Sequence, residues 1–213
     1  MEDKPINTTL YSLDDSPPSA PTERREGDRT LTLLRVGSLI IGGRRELCLI
    51  KNISAGGMLV KAYCPVPAGT RLSIELKCGD AVRGTARWIT GDTVGVEFDE
   101  LVDVVALLAS SMAGPRPRMP RVEIDCVAWI REGAETRRVG TLDVSQGGLK
   151  FASTTAFSIG GHVIVTLSGL PPFAGIVRWQ NADCFGVTFN KVLPLPMLVS
   201  WLHEQRERLR AAG

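Results

Sequence analysis

Asn52-Ile53-Ser54-Ala55-Gly56-Gly57 returns 91 residues later as Asp143-Val144-Ser145-Gln146-Gly147-Gly148. At the same offset Arg87-Trp88 returns as Arg178-Trp179, and Val94-Gly95-Val96-Glu97-Phe98 returns as Phe185-Gly186-Val187-Thr188-Phe189. No insertion is needed between the first block and the last. A fixed offset shared by three separated blocks makes the chain two copies of one small domain. What differs between the copies then indicates which copy does what.

Outward from the first block, the chain falls into short β-rich segments at 31–41, 46–51, 58–61, 71–77, 82–89 and 93–98. Gly42-Gly43, Gly56-Gly57, Pro65-Val66-Pro67, Gly79-Asp80 and Gly91-Asp92 punctuate them. Residues 71–77 alternate polar and apolar, as a half-buried strand does. Five or six short strands with tight turns and no helix between them imply an antiparallel barrel or sandwich. Residues 101–112 read as a short helix, broken by Ala113-Gly114-Pro115-Arg116-Pro117. The second copy repeats the pattern and ends in a helix over about 195–211, with Leu198, Trp201, Leu202 and Leu209 on an apolar stripe. Glu204, Arg206, Glu207, Arg208 and Arg210 make its charged face. The stripe is expected to pack on the barrel and is also a candidate homodimer face.

The domain reading is a disordered tail at 1–23, a first domain at 24–112, an arginine-bearing linker at 113–120 and a second domain at 121–213. Four prolines among polar residues mark the tail. It has neither the basic start nor the apolar stretch of a signal peptide, and no apolar run approaches a membrane span. Five cysteines without CxxC spacing, none matched between the copies, read as reduced thiols of a cytoplasmic protein. A net charge of +2 argues against a bulk DNA or RNA binder. The arginines instead cluster just ahead of each repeat, at Arg24-Arg25-Glu26-Gly27-Asp28-Arg29 and at Arg116-Pro117-Arg118-Met119-Pro120-Arg121. A repeated basic lead-in suggests a local anion site in each domain.

Two motifs carry the chemistry: an RxxxR, Arg25 to Arg29, and an (D/N)xSxxG, Asn52 to Gly57. They flank the first strand or strand pair, and an antiparallel hairpin would bring them to one end of a barrel. The arginine fork grips phosphate or the O6 and N7 of guanine with two parallel hydrogen bonds. Its flat face stacks on a base. An Asp or Asn accepts from a guanine nitrogen, and a Ser hydroxyl beside a glycine pair suits phosphate or sugar oxygens. The inventory fits an anionic, guanine-bearing ligand. Alternatively, the glycine motif is only a turn closed by an Asx hydrogen bond, and the arginines are only a solvated cluster.

On these residues the chain resembles a tandem pair of PilZ domains, the bacterial receptors for cyclic di-GMP. Arg25, Arg29, Asn52, Ser54, Gly57 and the Arg87-Trp88 pair before the Gly95 strand carry the resemblance. It implies six-stranded antiparallel barrels, each followed by a C-terminal helix, in an all-β protein with short helices. It further implies a flexible loop bearing Arg25 and Arg29 that wraps the ligand over Asn52, Ser54 and Gly57, with Arg24 adding a phosphate contact. The resemblance also implies that the ligand binds as a monomer or an intercalated dimer.

In the second copy Asp143, Ser145 and Gly148 match the surface motif, but Arg29 maps to Pro120. Arg116, Arg118 and Arg121 keep the charge and lose the spacing, and Pro117 and Pro120 stiffen the lead-in. The second site is therefore expected to be the weaker one. His162 and His203 show no metal pattern, and no cofactor, P-loop, dinucleotide fingerprint or nucleophile elbow is apparent. Trp88 and Trp179 read as core or barrel-rim residues; Trp129 and Trp201 have no counterpart. The functional expectation is a non-enzymatic receptor or adaptor. It would report cyclic di-GMP to an unidentified partner protein in motility, biofilm or polysaccharide control, with no membrane insertion. The alternative is a ligand-independent adaptor built from degenerate barrels.

Overall fold

The computed structural model of the protein describes residues 31–77, 80–112 and 119–211. The first copy forms β1 (Leu31–Ile41), β2 (Arg44–Ser54), β3 (Gly57–Ala62), β4 (Arg71–Lys77), β5 (Asp80–Thr90), β6 (Thr93–Phe98) and α1 (Val104–Met112). The second forms β7 (Val122–Glu132), β8 (Glu135–Ser145), β9 (Gly148–Ala152), β10 (His162–Leu167), β11 (Phe173–Asn181), β12 (Cys184–Phe189) and α2 (Leu195–Ala211). Strand periodicity is visible where it was expected: in β4, Leu72, Ile74 and Leu76 are buried and the residues between them are not. Gly42 and Gly43, at φ 55° and 79°, make the two-residue turn joining β1 to β2.

Each copy closes into a six-stranded antiparallel barrel, in the order β1-β2-β3-β6-β5-β4 and β7-β8-β9-β12-β11-β10. Three pairs of register irregularities fall at matched positions: between Thr32 and Arg35 and between Glu123 and Cys126, between Ile50 and Asn52 and between Thr141 and Asp143, and between Ala86 and Trp88 and between Val177 and Trp179; a further one, between Glu75 and Lys77, belongs to the first barrel alone. A bulge adds an unpaired residue and re-aims the side chains around it. Two of these three bulges therefore decide how the repeated motifs face outward.

The helix after the first barrel starts at Val104, not at Leu101. Asp103 accepts a 2.9 Å hydrogen bond from the Ala106 amide through Oδ1, which satisfies a free N–H of the first turn and sets the start. Val102, Val104, Leu107 and Leu108 pack on the first core.

The two cores differ in size. Phe151, Phe157 and Phe185 interlock in the second barrel with centroids 5.2, 5.4 and 5.3 Å apart. At the matched positions the first barrel buries Val60, Val66 and Val94. Helix α2 seals the second barrel with Leu198, Val199, Trp201 and Leu202. The Trp201 indole N–H donates to the Ser168 carbonyl at 2.8 Å.

Helix α2 also reaches the first barrel. Arg206, on the charged face of the helix, pairs with Glu46 and donates from Nη2 to the Arg45 carbonyl at 3.0 Å. Glu46 is 9% exposed. Leu47, from β2, belongs to the second barrel's buried cluster, with Val36, Leu49 and Tyr63 packed against it. One helix therefore serves its own barrel and the junction.

Candidate functional site

Each (D/N)xSxxG motif starts just past a bulge and spans the turn between two strands. In the first copy Ser54 Oγ donates to the Gly57 carbonyl at 3.3 Å; in the second, Ser145 Oγ donates to the Gly148 carbonyl at 3.4 Å. The turn carbonyls are also occupied. Phe98 N donates to Gly56 O and Phe189 N to Gly147 O, both at 2.9 Å, while Val102 N and Leu193 N donate to Ala55 O and Gln146 O. A Cβ on Gly57 would lie 2.6 Å from the Val96 carbonyl oxygen, and one on Gly148 would lie 2.2 Å from that of Val187. Close strand approach therefore requires these glycines. Ser54, Gly57, Ser145 and Gly148 build and fasten the turn. Asn52 and Asp143 open the motif, and Asp143 pairs with Arg121.

The Arg-Trp repeats occupy another bulge. Ala86 pairs with Val96 and Trp88 with Gly95, leaving Arg87 as the extra residue; Arg178 is its counterpart between Val177 and Trp179. Both residues of each pair point out of the barrel. The indoles lie on the opposite strand: a Cβ on Gly95 would fall 2.2 Å from Trp88, and one on Gly186 would fall 2.1 Å from Trp179. Trp88 and Trp179 are 49% and 38% exposed, so they are surface residues seated on glycine and not core. Gly186→Ala is expected to expel the Trp179 indole at a cost of about 1–3 kcal/mol. Tryptophan emission and urea unfolding of the variant measure this; an unshifted emission would contradict the seating.

On the second barrel these features converge. A cleft of about 580 Å³ is lined by Arg121, Asp143, Lys150, Arg178, Trp179 and Thr188, a size suited to a small-molecule ligand. Arg121 pairs with Asp143 through Nη1 and Oδ1. Lys150 lies opposite Asp143 in the β8–β9 register. Among the described residues, neither Lys150 nor Arg178 has a carboxylate partner. The lead-in passes close by: a Cβ on Gly147 would lie 3.0 Å from the Met119 sulfur. Three cations and one carboxylate thus line one cleft beside an exposed indole. The structure brings Arg121 and Asp143 together; Arg116 and Arg118 lie outside the described residues. Lys150, Arg178 and Thr188 do not stand out in the sequence as site residues, because only the bulge and the strand register bring them to the cleft that Asp143 lines.

The matched face of the first barrel carries Asn52, Leu59, Arg87, Trp88 and Glu97. Arg24, Arg25 and Arg29 lie outside the described residues. Glu97 binds Arg87 through two hydrogen bonds, Nε to Oε2 at 2.6 Å and Nη2 to Oε1 at 3.1 Å. The bonds hold the Glu97 carboxyl below the usual range and raise the Arg87 guanidinium. One cation and one carboxylate therefore satisfy each other, and Leu59 stands where the second barrel has Lys150.

Burial pushes the Cys48 thiol up to about 12 and the Cys64 thiol up to about 11, so neither supplies a thiolate readily. Among the described residues no group of His, Cys, Asp or Glu is placed to hold a metal ion. No described helix is long and apolar enough to cross a membrane.

The PilZ domain family model matches this sequence twice, over residues 23–109 and 115–200. No curated protein matches it. Among solved structures with a similar fold, the PlzA protein of Borreliella burgdorferi in complex with c-di-GMP is 14% identical, with a TM-score of 0.37 over 80% of this chain and 91% of that one. The Bacillus subtilis inhibitor of motility, MotI or DgrA, is 12% identical, with a TM-score of 0.33 over 84% of this chain and 98% of that one. YcgR from Escherichia coli in complex with c-di-GMP is 14% identical, with a TM-score of 0.33 over 84% and 88%. The family match spans most of the sequence in two successive segments, each coinciding with a closed six-stranded barrel, and the chain belongs to the PilZ domain family as a tandem pair.

Proposed function

We propose that the protein is a cytoplasmic cyclic di-GMP receptor without catalysis of its own, which passes the second-messenger level to a partner protein. The observation that carries this reading is the cation-lined cleft at the surface motif of a PilZ barrel, which Arg121, Lys150, Arg178 and Asp143 line beside Trp179. Phosphates suit the cations, a guanine edge suits Asp143, and the indole offers a stacking face. In the first domain, Arg24, Arg25 and Arg29 supply the grip above Asn52, with Ser54 and Gly57 holding the turn that carries it. In the second, Arg116, Arg118 and Arg121 act above Asp143, with Ser145 and Gly148 in the same supporting role. Ordering of the arginine lead-ins on the ligand changes the surface offered to the partner.

A second reading is favoured by one observation. Among the described residues, the Arg87–Glu97 pair and Leu59 leave this face of the first barrel without an uncommitted cation. That barrel then acts as an adaptor whose surface binds a partner without ligand.

Calorimetric titration of the whole chain with cyclic di-GMP tests the receptor reading; absence of binding sinks it. Arg25→Ala/Arg29→Ala is expected to weaken the first-domain component by ten-fold or more, and Arg121→Ala the second-domain component likewise. A bidentate arginine contact contributes about 1–3 kcal/mol, and about 1.4 kcal/mol is a decade. Lysine at Arg29 restores little, because it lacks the fork. Unchanged binding in both variants would overturn the site assignment while leaving the receptor reading intact.

A further inference from the structure

We infer that the second barrel holds the tighter nucleotide site, and that the residue pair Glu97 and Thr188 sets this order. The inference rests on the receptor reading above and reverses the ranking expected from arginine spacing.

The two faces share a frame. Arg87 and Arg178 are the extra residues of matched bulges, and Trp88 and Trp179 sit on matched glycines. Among the described residues of the two faces, it is the neighbours that differ. Glu97, one strand across from Arg87, takes both ends of its guanidinium fork. Its counterpart on β12 is Thr188, which cannot form an ion pair. Arg178 therefore lines the cleft with no carboxylate partner among the described residues. Lys150 adds a second uncommitted cation where the first barrel has Leu59. Arg121 is held by Asp143, but its partner is a single carboxylate that a guanine edge can also engage.

The electrostatic consequence is direct. A phosphate approaching the first face meets a carboxylate and must displace it from Arg87 before gaining that fork. A phosphate approaching the second face meets two uncommitted cations. Both faces are solvent-accessible, so the difference depends on ionic strength. The specificity determinants added here are Lys150 and Arg178 as phosphate contacts, with Thr188 as the residue that leaves Arg178 available. Trp179 is the stacking surface and the natural reporter.

Two substitutions rebuild the first face on the second barrel: Thr188→Glu and Lys150→Leu. Glu97→Thr opens the first face. Full-length proteins are titrated with cyclic di-GMP, following heat and tryptophan emission, with Trp179→Phe and Trp88→Phe identifying the reporting barrel. Thermal melts confirm that each variant folds. In the parent, the tight phase is expected to lose its emission change in Trp179→Phe and keep it in Trp88→Phe. Thr188→Glu and Lys150→Leu should each weaken the tight phase ten-fold or more, while Glu97→Thr leaves it unchanged and strengthens a weaker phase. A tight phase reported by Trp88, or one unaffected by both Thr188→Glu and Lys150→Leu, overturns the inference and leaves the receptor reading standing. If the parent does not bind cyclic di-GMP, the receptor reading fails, and inorganic pyrophosphate is titrated instead. A Trp179 response to pyrophosphate abolished by Thr188→Glu supports the second face as the anion site. No such response overturns it as well.

Discussion

Phe185→Ala is expected to lower the unfolding free energy of the second barrel by about 3–5 kcal/mol, the range for deleting a large buried aromatic. Phe185 is 1% exposed and touches both other rings of the phenylalanine trio, stacked on Phe151 and edge-on to Phe157. Few neighbours can collapse into its space, since the facing rings are rigid and held by their own strands. The matched change in the first barrel, Val94→Ala, removes two methyl groups and should cost about 2 kcal/mol, from roughly 0.8 kcal/mol per buried methylene plus a small cavity. Urea unfolding of both variants measures the contrast. A smaller loss for Phe185→Ala than for Val94→Ala would contradict the packing described for the second core.

Arg206→Ala is expected to cost about 2–3 kcal/mol and to loosen the junction between the barrels. The substitution leaves the Glu46 carboxylate, 9% exposed, without its guanidinium, and unpairing one member of a buried ion pair typically costs about 3–5 kcal/mol. The value here lies lower because the Arg206 side chain keeps 24% of its surface in water. Arg206→Met together with Glu46→Gln should recover much of the loss, since no unpaired charge remains. Denaturant unfolding reads both variants. Arg206→Ala as stable as the parent, with an unchanged single transition, would show that the ion pair contributes nothing to the junction.

The strands were legible because their pattern is local. Leu72, Ile74 and Leu76 alternate with polar residues, and Gly42-Gly43 marks a turn whose φ values demand glycine. The final helix was legible for the same reason, over 195–211. The start of α1 was misplaced because Asp103 was not recognised as its cap. The bulges left no pattern in the residues, although they decide that Arg87 and Arg178 stand beside their tryptophans on the outer face. Within the candidate site, the sequence singled out Asn52 and Asp143 together with Ser54, Gly57, Ser145 and Gly148, while the hydrogen bonds of the two serines across their turns leave no pattern in it. Glu97 and Thr188 were visible as a difference between copies. Their meaning depended on knowing that each stands across from a bulged arginine. The pairing of Arg206 leaves no pattern in the sequence because its partner is 160 residues away, beyond the reach of any periodicity.

That long separation has a consequence for the newly made chain. Glu46 and Leu47 leave the ribosome well before Arg206, and every strand of the first barrel is complete long before α2 exists. At roughly 5–20 residues per second, the 160-residue gap leaves that patch uncovered for about 8–32 s. During this interval the first barrel can close its own core while Leu47, Val36, Leu49 and Tyr63 still await the second. The nascent protein therefore passes through a stage with an apolar patch open to chaperones or to neighbouring chains, and arrival of the last helix ends it.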